Sequence, residues 1–233
     1  LARGYFVVVV TGPRQSGKST LVKHAFPDHR YVSLEDLDQR ELAEQDPRGF
    51  LNQLDGKTIL DEAQHCPDLF SYIQTRVDER QQPGEFILTG SQQFGLLSDI
   101  TQSLAGRAAL LTLLPMTNRE LRHAKKLTRI SIRHSFAVPF LSIHDRMLDP
   151  HTWYENYVRT YLERDVGQLI NVRDLRTFQR FTRMCAGRTG QLLNLSSLAN
   201  DCGITHNTAN AWISLLEASY IVHLLPPHHQ NFT

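Results

Sequence analysis

Cysteine is scarce in this 233-residue chain, with only Cys66, Cys185 and Cys202, too widely spaced for any C-x-x-C pair. That excludes a disulfide framework or a zinc ribbon and leaves reduced, packing thiols of an intracellular protein. Charge of one sign is lacking too: 25 Lys and Arg against 24 Asp and Glu leave a formal +1. No global field therefore argues for nucleic acid, and any such case rests on local patches. No apolar run reaches the ~20 residues of a membrane span, and no basic-then-apolar leader opens the chain. The first residue is Leu1 rather than Met, which reads as a trimmed chain. The histidines, including His228-His229, show no H-E-x-x-H or similar ligand spacing. These absences together predict a soluble, cytoplasmic protein with no membrane partner, of one large domain or two small ones.

What is present is concentrated in residues 7–20, VVVVTGPRQSGKST. Four consecutive valines read as a strand buried on both faces, because nothing alternates. The strand runs into G-x-x-x-x-G-K-S, and residues 21–26 read as a helix stopped by Pro27. Strand, glycine-rich loop and helix are the context of a phosphate-binding loop. Gly12, Pro13, Arg14, Gln15, Ser16, Gly17, Lys18, Ser19 and Thr20 are the candidate cradle for ATP or ADP. Gly12 and Gly17 let backbone N–H groups turn inward, and the helix N-terminus adds positive potential. Lys18 is expected on the β- and γ-phosphates and the Ser19 hydroxyl on Mg²⁺.

Short apolar runs then alternate with helical stretches to residue 121, the pattern of a parallel sheet. Strands are expected at 31–34, 57–60, 86–88 and 108–114, with helices over 38–45, 50–54 and after Pro67, where Leu69, Ile73 and Val77 share a side. In such sheets the ligand sits at the carboxyl ends of the strands. Asp61 and Glu62 follow the third strand there, as a candidate metal-holding carboxylate and a candidate general base for the attacking water. Thr89 and Ser91, at the fourth strand's tip, are candidates to contact the same water or the γ-phosphate. Arg107 is a candidate phosphate sensor or arginine finger, in the second case acting on nucleotide held by another copy of a homo-oligomer.

Residues 122–152 break the alternation with a basic segment, Arg122 to Arg133, that reads as a connection with a solvated face. Helical periodicity returns at Trp153, with Tyr154, Tyr157, Val158, Tyr161 and Leu162 as a stripe. Arg173, Arg176, Arg180 and Arg183 fall on one helix face, opposite Leu175, Phe178, Phe181 and Cys185. Residues 195–213 then show a short helix, a Gly203 turn and Thr205 as the cap of a second helix, the grammar of a helix-turn-helix. Ala209, Trp212, Ile213 and Leu216 are expected inward, and His206, Asn207 and Asn210 outward. A strand over 220–225 would complete a winged helix.

GPRQxGK at 12–18, Asp61-Glu62-Ala63-Gln64 and Leu88-Thr89-Gly90-Ser91 resemble the predicted prokaryotic AAA+ superfamily ATPases. LAGR at 104–107, PMTNREL at 115–121, YVRTYLERDV at 157–166 and RTGQ at 188–191 are similar to the subgroup with a C-terminal domain of unknown function. The resemblance implies ATP and Mg²⁺ and a sheet ordered 5-1-4-3-2. Members of that family usually continue past the position of Asn231 into a nuclease-like fold. The expected fold class is therefore α/β: a five-stranded parallel P-loop NTPase (AAA-like) sheet over residues 1–121, a connection over 122–152, and a mostly α-helical winged-helix domain over 153–233. The expected function is Mg²⁺-dependent ATP hydrolysis coupled to contact with double-stranded DNA or a protein. The alternative is a nucleotide-gated protein-interaction module with negligible turnover and no DNA binding. A small P-loop kinase fits the loop, but not the Asp61-Glu62 pair.

Overall fold

A computed structural model describes residues 1–90, 100, 102–117, 119–120, 146, 148–161 and 175–227. Ser91, Arg173, Leu162 and the basic residues 122–133 lie outside that set. The chain divides into two compact units, Leu1–Phe140 and Leu141–Thr233.

The first unit is a parallel sheet of β1 (Val7–Thr11), β2 (Arg30–Ser33), β3 (Thr58–Asp61), β4 (Phe86–Thr89) and β5 (Ala108–Thr112), in the order β2-β3-β4-β1-β5. This is the expected order read from the other edge. Helices α1 (Lys18–Ala25), α2 (Leu37–Gln45), α3 (Pro47–Asn52) and α4 (Leu69–Arg80) cover it. The all-valine strand is explained by two cores. Val7 and Val9 join one with Leu60, Phe86, Leu88 and the buried faces of α2, α3 and α4. Val8 and Val10 join the other with Ile59, Ile87 and Val22 of α1. Successive residues point to opposite faces, so a strand covered on both sides shows no alternation.

Away from the loops, a buried ion pair ties α4 to β4. Arg76 Nε donates to Glu85 Oε1 at 2.8 Å, and the guanidinium also donates to the Leu51 and Leu54 carbonyls. Those carbonyls lie in the last turn of α3 and just beyond it, where a helix leaves backbone acceptors short of partners.

The second unit contains α5 (Pro150–Tyr161), α6 (Leu175–Gly187), α7 (Leu195–Cys202) and α8 (His206–Ala218). Trp212 stands edge-on to Phe178 and Phe181, with ring centroids 5.0 and 5.3 Å away. Gly203 closes α7 in the left-handed conformation, and Thr205 caps α8 by accepting from Thr208 N–H. The sequence places both features correctly. The expected strand over 220–225 does not form. Tyr220 turns left-handed (φ 59°), and the N–H groups of Ile221 and Val222 both donate to the Leu216 carbonyl. Among the described residues this unit offers no strand to pair with, so the chain folds back onto the end of α8 and the wing is absent there.

Candidate functional site

The loop after β1 leaves the sheet between β4 and β5. Gly12 sits at φ 145°, and a Cβ there would lie 2.1 Å from the Leu113 carbonyl oxygen. Glycine is thus required by the close approach of the chain leaving β5, as well as by the loop's own turn. Gly17, at φ 91°, delivers the chain into α1. Lys18 is the first residue of that helix and is buried, with Nζ 3.0 Å from the Gly12 carbonyl oxygen and 2.9 Å from that of Pro13. Burial lowers its pKa, while the Glu62 and Asp61 carboxylates pull it back up. A phosphate oxygen is a stronger partner for an ammonium than a neutral carbonyl, so the loop carbonyls hold Lys18 in place without committing it.

Asp61 ends β3 and is the meeting point of the site. Ser19 Oγ donates to both of its oxygens, 3.0 Å to Oδ1 and 2.8 Å to Oδ2. Thr89 Oγ1 donates to Oδ1, and the Tyr31 hydroxyl donates to Oδ2 at 2.6 Å. Strand parity explains the convergence. Tyr31 pairs with Ile59, and Asp61 lies two residues on, so all three share the face that α1 covers. The register Leu60↔Leu88, carried one step further, sets Asp61 opposite Thr89. Burial, then the bond to Asp61, pushes the Tyr31 phenol well above its ordinary pKa, which keeps it a donor. Thr89 is fully buried with its hydroxyl on Asp61. Its position is that of a brace for the carboxylate, where the sequence suggests a water or γ-phosphate contact.

Glu62 leaves the strand in the left-handed conformation, φ 56° and ψ 45°. Such a backbone at a residue with a Cβ costs on the order of 1–3 kcal/mol and is concentrated at functional sites. The turn carries its side chain away from the course of β3. There Gln64 Nε2 donates to Glu62 Oε2. Beside it, His65 Nε2 lies 3.1 Å from Glu35 Oε2.

Arg107 is not brought to this site. It precedes β5 at the amino end of the sheet, where its carbonyl accepts from Val7 N–H. Its guanidinium grips Asp78 of α4 through Nε at 2.6 Å and Nη2 at 2.8 Å, holding that carboxyl below the usual range. Five strand residues at ~3.3 Å each separate it from the loop end. The sensor reading within one chain is corrected accordingly: the strand's direction puts its first residue at the wrong end.

The donor set suits nucleotide and Mg²⁺. Ser19 and Asp61 offer hard oxygens, the kind Mg²⁺ takes. The Ser16 hydroxyl is enclosed without a hydrogen-bond partner, which a phosphate oxygen in the loop would supply. Tyr31, and Lys23 over its ring, are the members that sequence reasoning missed. Parity along β2 and β3 was the available signal, but it needs the register.

An AAA domain family matches residues 5–122, just over half of the chain and the whole of the sheet. The chain belongs to the AAA domain family. A separate domain of unknown function matches residues 141–233. Uncharacterised proteins from Mycobacterium bovis and Mycobacterium tuberculosis are each 32% identical over 228 residues, 97% of this chain and 51% of the relative. The chain thus spans about half the length of those relatives. Among solved structures, the Walker-type ATPase of Pyrococcus abyssi resembles it with a TM-score of 0.56 at 14% identity, over 93% of this chain and 85% of that one. At that identity the likeness is one of fold. Family and fold agree on an AAA-type P-loop architecture. Among the described residues no helix is long and apolar enough to cross a membrane.

Proposed function

We propose that the AAA domain binds ATP with Mg²⁺ and hydrolyses it. The observation that carries this is the direct hydrogen bond between Ser19 and Asp61, which joins the phosphate loop to the β3 tip, with Glu62 as the next residue. Lys18 and the loop N–H groups would hold the phosphates, Ser19 and Asp61 the metal. Bound there, Mg²⁺ would neutralise charge on the phosphate oxygens. Glu62 takes the proton of the attacking water, a role that fits a carboxylate turned out of the strand beside the metal-holding one. The test is phosphate release by the wild type, Lys18→Ala and Glu62→Gln. Lys18→Ala should lose nucleotide binding. Glu62→Gln should keep it while turnover falls ~10²–10⁴-fold. Equal turnover by wild type and Glu62→Gln would remove Glu62 from this role.

The second unit is proposed to contact duplex DNA through α6 and α8. Arg176, Arg180 and Arg183 are all exposed on α6, and His206, Asn207 and Asn210 on α8. The first group would meet phosphates, the second bases or phosphates. The second reading, a nucleotide-gated protein-interaction module, is favoured by one observation: the exposed start of α8 carries no lysine or arginine. Slow or absent turnover, together with no DNA binding, would support it.

A further inference from the structure

Tyr31 stands on β2, at one edge of the described sheet, two residues short of the position paired with Asp61. Its ring spans that offset and brings the hydroxyl to 2.6 Å from Asp61 Oδ2. This is the short range of a charge-assisted O–H···O⁻ bond. On the same ring, Lys23 Nζ of α1 lies 3.5 Å from the centroid. A cation over an aromatic face is attracted by the ring's electrons, and it withdraws density from the phenol, which strengthens the hydroxyl as a donor. One helix therefore reaches Asp61 twice, directly through Ser19 and indirectly through Lys23 and Tyr31.

We propose that Tyr31 is a positioning residue for the divalent-cation site, holding the Asp61 carboxylate in the orientation in which it faces Ser19, with Lys23 supporting the phenol from its other side. The inference rests on the assignment of Ser19 and Asp61 to Mg²⁺ above and extends it to two side chains outside the loop and the strand tip. The division of labour is geometric. Thr89 holds Oδ1, Tyr31 holds Oδ2, and Ser19 alone bridges both. With Thr89 and Tyr31 in place, the carboxylate cannot rotate when the Ser19 hydroxyl exchanges its bond to Asp61 for one to a metal. Without the phenol, Oδ2 loses a fixed donor and the carboxylate plane is free to turn. Outer groups of this kind typically change metal affinity 10–100-fold when removed.

The experiment is binding of a fluorescent ADP analogue to the whole chain, first in excess EDTA and then as Mg²⁺ is titrated in. Tyr31→Phe keeps the ring, its packing and the Lys23 contact, and removes only the hydroxyl. It should bind the analogue in EDTA as the wild type does, while the Mg²⁺ half-point rises ~10–100-fold. Lys23→Met, which keeps an apolar stem without the charge, should shift the half-point in the same direction by a few-fold. Mn²⁺ binding to the nucleotide complex, read by electron paramagnetic resonance, should weaken in parallel without any dependence on turnover. An unchanged Mg²⁺ half-point in Tyr31→Phe overturns the proposal and leaves the phenol as packing. Equal losses with and without metal also overturn it, since they mark a general disturbance of the fold. Asp61→Asn separates the two levels. If its half-point shifts and that of Tyr31→Phe does not, only the Tyr31 role is lost. If neither shifts, the metal-site assignment goes with it.

Discussion

The Ser19 hydroxyl donates to both carboxylate oxygens of Asp61, at 3.0 and 2.8 Å, across 42 positions of sequence. Loop and strand tip are therefore already coupled, and a metal held by both, as proposed, would take the place of this bond. Ser19→Ala should leave metal-free nucleotide binding intact and raise the Mg²⁺ half-point by about tenfold or more. Measured together, Ser19→Ala and Asp61→Asn should be markedly non-additive, because each removes the other's partner. Additive effects would mean that the two residues serve different ligands.

Cys66 lies buried between α2 and α4, and burial pushes its thiol up to about 11 from an ordinary 9.0. The unfolded thiol ionises first as pH rises, so its contribution to stability is complete below about 9 and is lost progressively toward 11. Wild type should therefore lose stability relative to Cys66→Ala over that window, read as the difference in urea midpoints at pH 8 and pH 10.5. A constant difference would show that the thiol is not shielded. At pH 8 an alkylating reagent should modify Cys66 only on unfolding.

Arg107 meets Asp78 at the amino end of the sheet, away from the phosphate loop of its own chain. Arg107→Ala and Asp78→Ala should thus behave alike, with a small loss of stability and unchanged turnover per chain at every protein concentration. A selective fall in turnover for Arg107→Ala, growing with protein concentration, would support an arginine finger acting between copies.

The exposed arginines of α6 set the salt dependence expected of DNA binding. Each neutralised phosphate contributes about −0.9 to the log–log slope, so changing Arg176 and Arg180 to alanine should flatten it by about two units. Substituting Asn207 and Asn210 should weaken binding while leaving the slope in place. Binding that is absent, or indifferent to salt, would favour a protein partner for this unit.

Features carried by consecutive residues were legible from the sequence. The strand–loop–helix at 7–25 follows from four valines, two glycines and a lysine, because each acts on its own backbone or on the next turn. The inward faces of α4 and α8 follow from a 3.6-residue period, which needs no knowledge of the partner. The Gly203 turn and Thr205 cap were readable for the same reason. Tertiary structure alone decided what crosses between elements. Tyr31 and Thr89 reach Asp61 because β2 and β4 flank β3 in a particular register, and a shift of one residue would turn each to the other face. Arg107 lies away from the loop because it precedes a parallel strand, which its position before residues 108–114 already implied; that its guanidinium meets Asp78 of α4 was decided only by the packing of that helix. Arg76 and Glu85 are tolerated in the interior because they pair with each other, while the Leu51 and Leu54 carbonyls and Arg80 at the end of α4 supply further partners. Residues 220–225 have the apolar composition of a strand, but β structure is completed by a partner's hydrogen bonds, and what they meet instead is the end of their own helix.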